Sequence, residues 1–373
     1  MDKYSDLFPV SKQTVYLKNA AQAPLNARSE RALLNYIQLE STDINARPST
    51  REPIRALLAE LLGGAPADYA LTSSTGAGIS LVAAGLSLQP GDNVVLPSGE
   101  HWNNSFPWLR LQEFGVEVRL VAPDQNNRVS IEAMAQQVDN KTRVVGTTAV
   151  RFDTGYRANL KALSKLAHSV DALLVVDGIQ CAGANSLNVV DDGVDILACG
   201  GFKWLLGMAG TGFLYLNKRA RARVRPLAPG MFAAAHNFET LTYHDDARQY
   251  ETGSLAHALF HSWAEGLLLL NEIGIPAIQA KNFILTDRIL SGFKNLPVQV
   301  LSPHQNQQER SAILAFTAGK ININKAISEM LEQQNILLSF RGDSLRVSPN
   351  FYNTEAEIDR FLDALEHAFH QSE

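Results

Sequence analysis

Three local patterns in this chain carry side chains suited to covalent or proton chemistry. The first is Lys203 in CGGFKWLLG, residues 199–207, an amine set among glycines and large apolar side chains. Lysines often bury their methylene stem and let the ammonium reach water, so this setting alone assigns no task. Shielded from water, however, the ammonium is disfavoured and its pKa falls, and the neutral amine is the form that attacks a carbonyl.

The second is Asp177, which ends the apolar run ALLVVD and is followed by GIQ. A carboxylate at the buried end of a strand is costly unless a positive group meets it; a helix cap or a turn acid is the competing reading. The third is LTSSTGAGISLVAAGL, residues 71–86, where a strand-like end turns through small residues into an apolar helix. Backbone N–H groups at such a helix start make a seat for one phosphate. A plain capped helix is the alternative, and neither a Walker loop nor GxGxxG is present. Together, a desolvated lysine, a carboxylate for a pyridinium nitrogen and a one-phosphate seat are the requirements of pyridoxal phosphate.

These residues need a scaffold that brings strand ends together. The chain has 373 residues, 46% of them hydrophobic, enough for a large core and more than one domain. Between residues 65 and 216, short apolar runs (93–97, 116–121, 143–150, 172–177, 195–201, 211–216) alternate with helical patterns such as 158–170. That rhythm predicts an α/β fold with a mostly parallel sheet covered by helices on both faces, whose ligands gather at the carboxyl ends of the strands. From about 255 long helices and a few short strands predict a smaller α+β domain. The expected division is a large domain over 15–255 and a small domain over 256–373, joined by the N-terminal segment 1–14.

Basic and acidic residues number 33 and 38, without a basic block, so neither nucleic acid nor a membrane surface is an expected partner. No apolar run approaches the ~18 residues of a membrane span, and the start lacks a signal peptide's apolar stretch. A cytoplasmic protein with a small-molecule partner is expected. Cys181 and Cys199 are too few for a disulfide framework and read as buried small hydrophobes. His257 and His261 share a helix face but lack a third ligand, so no metal site is expected.

VVDGIQ, GVDILACGGFKWLLGMAGTGFLYL and RVSPNFYNTEAEIDRFL resemble the fold-type I pyridoxal phosphate enzymes of aminotransferase class V, which include cysteine desulfurases, kynureninase and isopenicillin N epimerase-like proteins. The similarity extends from YLKNAAQAPL at 16–25 to the last helix. It implies that Lys203 bonds the cofactor as a Schiff base and shuttles the substrate's α-proton. It further implies that Asp177 keeps the pyridine nitrogen protonated, that Gln180 bonds the ring's 3-hydroxyl oxygen, and that His101 stacks on the ring. Thr75 and Gly76 match the phosphate turn. Ser254 matches a hydroxyl that reaches the neighbouring subunit's phosphate, which implies a homodimer with shared sites. Arg346 matches the arginine that grips the substrate's α-carboxylate, and Asn19 a contact near it.

Departures from the family pattern narrow the chemistry. Gly200 and Phe202 stand where many relatives carry a serine and a histidine for the phosphate, and Phe152 replaces an asparagine of the desulfurases. The stretch NILLSFRGDSLR, 335–346, lacks the nucleophilic cysteine that desulfurases carry there. The resulting expectation is a pyridoxal phosphate enzyme acting on an α-amino acid or derivative, with β-elimination of the carbon–sulfur lyase kind preferred. Transamination, epimerization and a non-catalytic cofactor-binding or regulatory role are the alternatives. Side-chain selectivity is expected in loops 40–53 and 229–248, with Arg47, Arg51 and Arg151 available to a second acidic group.

Overall fold

The computed structural model describes residues 2–235 and 239–372; residues 236–238 of the expected selectivity loop 229–248 and residue 1 of the N-terminal segment lie outside the described residues. Seven strands form the central sheet in the spatial order Tyr69–Thr72, Gly212–Leu216, Ile196–Gly200, Leu173–Asp177, Thr142–Thr148, Asn93–Pro97, Glu117–Val121. Gly212–Leu216 is antiparallel to both its neighbours, and all other adjacent pairs are parallel. This is the expected α/β architecture. The runs read as continuous apolar segments because every residue of Leu173–Asp177 and Ile196–Gly200 is buried between helical layers. One layer packs Trp204, Trp263 and Leu58 on the sheet, the other Ile79, Val82 and Trp108.

Local capping starts the helices that the sheet needs. Ser74 Oγ accepts the Ala77 N–H at 3.1 Å and opens Thr75–Gly85, and Asn159 Oδ1 accepts the Ala162 N–H at 3.1 Å and opens Leu160–Ser169. In the latter, Leu160, Leu163, Ser164 and Ala167 face the core, a helical spacing.

One helix is not announced by the sequence pattern. Ala27–Thr42 buries only Ser29 and Tyr36, so no apolar stripe marks it. With Arg51–Leu62 it packs against His257–Ile273. The expected loop 40–53 is therefore corrected: its ends belong to these helices, with a short 3-10 turn at Ile44–Ala46 between them.

The C-terminal sheet is antiparallel, ordered Ser339–Phe340, Leu345–Val347, Leu314–Thr317, Gln299–Val300. Its core gathers Leu285, Phe316, Ile327 and Phe361 from strands and helices. Val15–Tyr16 pairs in parallel with Ile336–Leu337, tying the start of the chain to this unit. The division at 255/256 stands as a proposal for where the chain passes between units; its first helix packs on the large one. No helix of the described residues is long and apolar enough to cross a membrane.

Candidate active site

Lys203 lies just beyond the carboxyl end of Ile196–Gly200, in a turn closed by the Leu206 N–H on the Lys203 carbonyl (3.1 Å) and the Gly207 N–H on the Gly201 carbonyl (2.8 Å). A Cβ on Gly201 would come within 2.8 Å of the Trp263 ring, and one on Gly207 within 2.6 Å, so only glycine lets this indole cover the turn. Leu206 adopts a left-handed φ of 59°, a strained conformation for a branched side chain. Lys203 is left 8% exposed. Burial pushes its amine down to about 8, and the cations Arg346 and Arg341 press the same way against the opposing charge of Asp177.

Asp177 ends the adjacent parallel strand and is in register with Ala198. Burial pushes its carboxyl up to about 6, opposed by the Ile179 N–H on Oδ1 (2.9 Å) and by the charge of Lys203. Its second oxygen has no hydrogen-bond partner among the described residues. Gln180 is held at both ends of its amide: Oε1 accepts the Trp204 indole N–H and Nε2 donates to the Ala20 carbonyl, each at 2.9 Å. One amide N–H is left for a ligand.

The helix Thr75–Gly85 begins beside the same strand ends. Thr75 Oγ1 accepts the Gly200 N–H at 2.8 Å, which consumes that amide and leaves the threonine proton for another acceptor. A Cβ on Gly76 would sit 3.1 Å from the Asn103 side chain, so glycine keeps this corner open. Gly200 thus takes no phosphate itself; it orients the hydroxyl that can.

His101 caps the helix Trp102–Leu109, its Nδ1 accepting the Asn103 N–H at 3.2 Å. Burial lowers its pKa, with Lys203 and Arg341 adding to the effect, so the ring is neutral with its proton on Nε2. Its ring lies edge-on to Phe152 at 5.3 Å. Arg346 is fully buried in Leu345–Val347, donating to the Phe152 carbonyl and to Ser339 Oγ. Burial pushes this guanidinium down to about 9. Among the described residues its Nε has no partner, nor has the buried Nδ2 of Asn19, whose Oδ1 accepts the Tyr352 hydroxyl at 2.8 Å. Two orphan buried donors on neighbouring segments are costly unless an anion meets them.

The fold therefore gathers Lys203, Asp177, Gln180, Thr75, Gly76, His101, Arg346 and Asn19. Ser254 is exposed, and among the described residues no contact ties it to this group. Its loop is anchored instead: Glu251 accepts from Arg51, from Arg55 at 2.6 Å and from the Leu71 N–H at 2.9 Å. Arg47 pairs with Glu40 at 2.8 Å and Arg151 forks onto Asp153 at 3.0 and 2.6 Å. All three arginines expected to be available are thus engaged. His257 bonds Thr50 at 2.9 Å and His261 packs on Tyr36.

Two residues of the site escaped the sequence reading. Glu100 is buried, with its carboxyl pushed up to about 7 by desolvation, opposed by the Thr148 N–H and Arg151 and reinforced by Asp177. Arg341 holds its guanidinium carbon 5.4 Å from the Phe152 ring centre. GEHWNN contains the first beside His101, but nothing in the spacing marks it as buried; the second sits in the loop searched only for cysteine.

The model of the family described as aminotransferase class-V matches residues 15–361. A probable cysteine desulfurase of Methanothermobacter thermautotrophicus is 28% identical, covering 96% of this chain and 95% of that protein. Among solved structures, an apo cysteine desulfurase from Thermococcus onnurineus aligns with a TM-score of 0.89 at 20% identity, covering 99% of this chain and 97% of that one. A cystine C–S lyase in complex with its product cysteine persulfide aligns at 0.88 and 22% identity, covering 96% and 98%.

Proposed function

The chain belongs to the class V aminotransferase family, a family of pyridoxal phosphate enzymes, and from that premise we propose that it cleaves the carbon–sulfur bond of an α-amino acid by β-elimination. The observation that carries the reading is the buried pair of Lys203, its amine lowered to about 8, and Asp177, a carboxylate with one oxygen unpartnered among the described residues. A buried acid so placed fits a cationic ring N–H, and the Thr75 hydroxyl with the N-terminus of Thr75–Gly85 fits a phosphate. The residues present therefore fit pyridoxal phosphate. When bound, this cofactor supplies an electron sink conjugated to the substrate's α-carbon.

Lys203 Nζ takes the proton from that carbon. Arg346 and Asn19 hold the α-carboxylate with their two free donors, a geometry that fixes which bond faces the base. The β-thiolate leaves with the electrons of the Cβ–S bond, and after water enters, pyruvate and ammonia are released. Asp177 keeps the ring nitrogen protonated, and neutral His101 offers a flat face with no charge of its own.

Elimination is preferred over persulfide formation on the enzyme because the latter needs a thiolate near the departing sulfur. Burial raises Cys181 to about 11 and Cys199 well above its ordinary value. The similar cystine C–S lyase acts on the same class of bond. We further read the protein as a cytoplasmic homodimer in which Ser254 serves the partner's phosphate; the exposed Leu34, Ile37, Trp102 and Phe106 are apolar surface that a second copy would cover.

The test is direct. Purified protein given cofactor should develop a visible absorbance band that Lys203→Ala abolishes, and with S-substituted cysteines it should release pyruvate and ammonia in equal amounts. Amine transfer to the cofactor without pyruvate would favour transamination, and solvent deuterium at the α-carbon with inversion would favour epimerization. A folded protein that stays colourless sinks the enzyme reading.

A further inference from the structure

Among the described residues Arg341 is a cation with no carboxylate paired to it, beside a site that already spends one guanidinium on the substrate. Its backbone N–H donates to the Ser344 carbonyl at 2.8 Å, closing the hairpin in which Ser339 pairs with Arg346 and Phe340 with Leu345. Arg341 and Arg346 thus come from one hairpin. The Arg341 guanidinium lies 5.4 Å from the Phe152 ring centre, the His101 ring meets that ring at 5.3 Å, and Arg346 bonds the Phe152 carbonyl. One phenylalanine is therefore shared by the stacking histidine, the carboxylate arginine and the unpaired cation.

The surrounding charges sharpen the point. The acid facing Arg341 is Asp153, which Arg151 already holds in a two-point fork while also bonding the Ser98 and Gly99 carbonyls. Lys203, His101 and Arg346 face it with positive or neutral groups, and no hydrogen bond or ion pair to its side chain occurs among the described residues. An amino acid with a single carboxylate satisfies Arg346 and leaves the second guanidinium unmatched. Arg341 is solvent-exposed at the rim of the site and only partly desolvated, and a planar fork left free there is suited to a second carboxylate.

We propose that Arg341 is a specificity-determining residue that binds a distal carboxylate, so that the site prefers amino acids whose sulfur substituent ends in an anion. This rests on the assignment of the α-carboxylate to Arg346. A charge-assisted pair in such a setting gives about a ten- to hundredfold preference.

The experiment titrates the purified full chain with glutarate and with butyrate by calorimetry, in wild type, Arg341→Met, Arg341→Lys and Arg346→Met. In parallel, kcat/KM is compared for S-carboxymethylcysteine and S-methylcysteine. Glutarate should bind wild type at least tenfold more tightly than butyrate, the ratio should collapse towards one in Arg341→Met, and Arg341→Lys should restore part of it. Arg346→Met should weaken both ligands. Equal binding of the two by wild type, or an unchanged ratio in Arg341→Met, shows a solvated side chain and overturns this proposal alone. Failure of wild type to bind either ligand removes the α-carboxylate assignment and this proposal with it.

Discussion

The Glu100 carboxylate accepts the Thr148 N–H at 2.9 Å, and Thr148 stands in register with Asp177 on the neighbouring strand. The same carboxylate takes the Asn104 amide N–H at 3.2 Å, so it ties the helix behind His101 to the strand end beside Asp177. Asn104 Oδ1 is buried without a partner among the described residues, and a protonated Glu100 can donate to it after an amide flip. His101's helix and Asp177 are therefore held in one frame by a group that titrates.

Stability should register that titration. Glu100 is raised from 4.5 to about 7 in the fold, so its proton is bound more tightly folded than unfolded. Its stabilising contribution is complete below pH ~4.5 and is lost as pH rises through about 7, a change of roughly 3 kcal/mol. Glu100→Gln stays neutral and can still serve Thr148 and, after the flip, Asn104. Urea unfolding of the cofactor-free protein at pH 5 and pH 8 should show wild type losing more stability than the variant. An equal loss would mean that Arg151 keeps Glu100 ionised throughout.

Capture of an aldehyde by Lys203 should accelerate with pH and level off above about 8, because only the neutral amine reacts. The Asp177 charge holds the amine's proton on, so Asp177→Asn should move the midpoint to lower pH. Borohydride trapping of pyridoxal on the cofactor-free chain measures both profiles. A midpoint near 10 would place the amine in water and contradict its burial.

Neither cysteine should matter for turnover. With both thiols buried and their pKa values raised, iodoacetamide at pH 7.5 should leave the folded protein unlabelled, read by mass spectrometry. A Cys181→Ala, Cys199→Ala double variant should keep pyruvate release within about threefold of wild type, the spread expected of small packing changes. Loss of activity with intact cofactor absorbance would reopen the persulfide route.

Arg346→Lys keeps the charge and removes the fork. The Phe152 carbonyl and Ser339 Oγ then lose partners along with the substrate, so kcat/KM should fall about a hundredfold or more. The cofactor band should persist, since Lys203 and Asp177 are untouched. A variant with normal kcat/KM would place the α-carboxylate elsewhere.

What was legible in the chain was local. Apolar runs ending in Asp177 and in the turn before Lys203 specify neighbouring buried strands, and Ser74 before Thr75–Gly85 specifies a capped helix, because strand burial and helix capping are set by residues a few positions apart. The glycines around Lys203 are visible in the sequence, but the close approach of Trp263 that they permit could not be read from spacing.

Tertiary structure alone decided how the charges were partnered. Arg151 was expected to be available and is consumed by Asp153, while Arg341, in a stretch read only for its lack of cysteine, is left without a carboxylate among the described residues. Glu100 became a buried acid through a backbone amide 48 residues away, and Asn19 came to lie beside Arg346's hairpin through the parallel pairing of the first strand with Ile336–Leu337. Ionic and orphan-donor relations depend on distance and dielectric, which no periodicity encodes; a chain writes down its strands and caps, and the packing chooses which charges remain for a ligand.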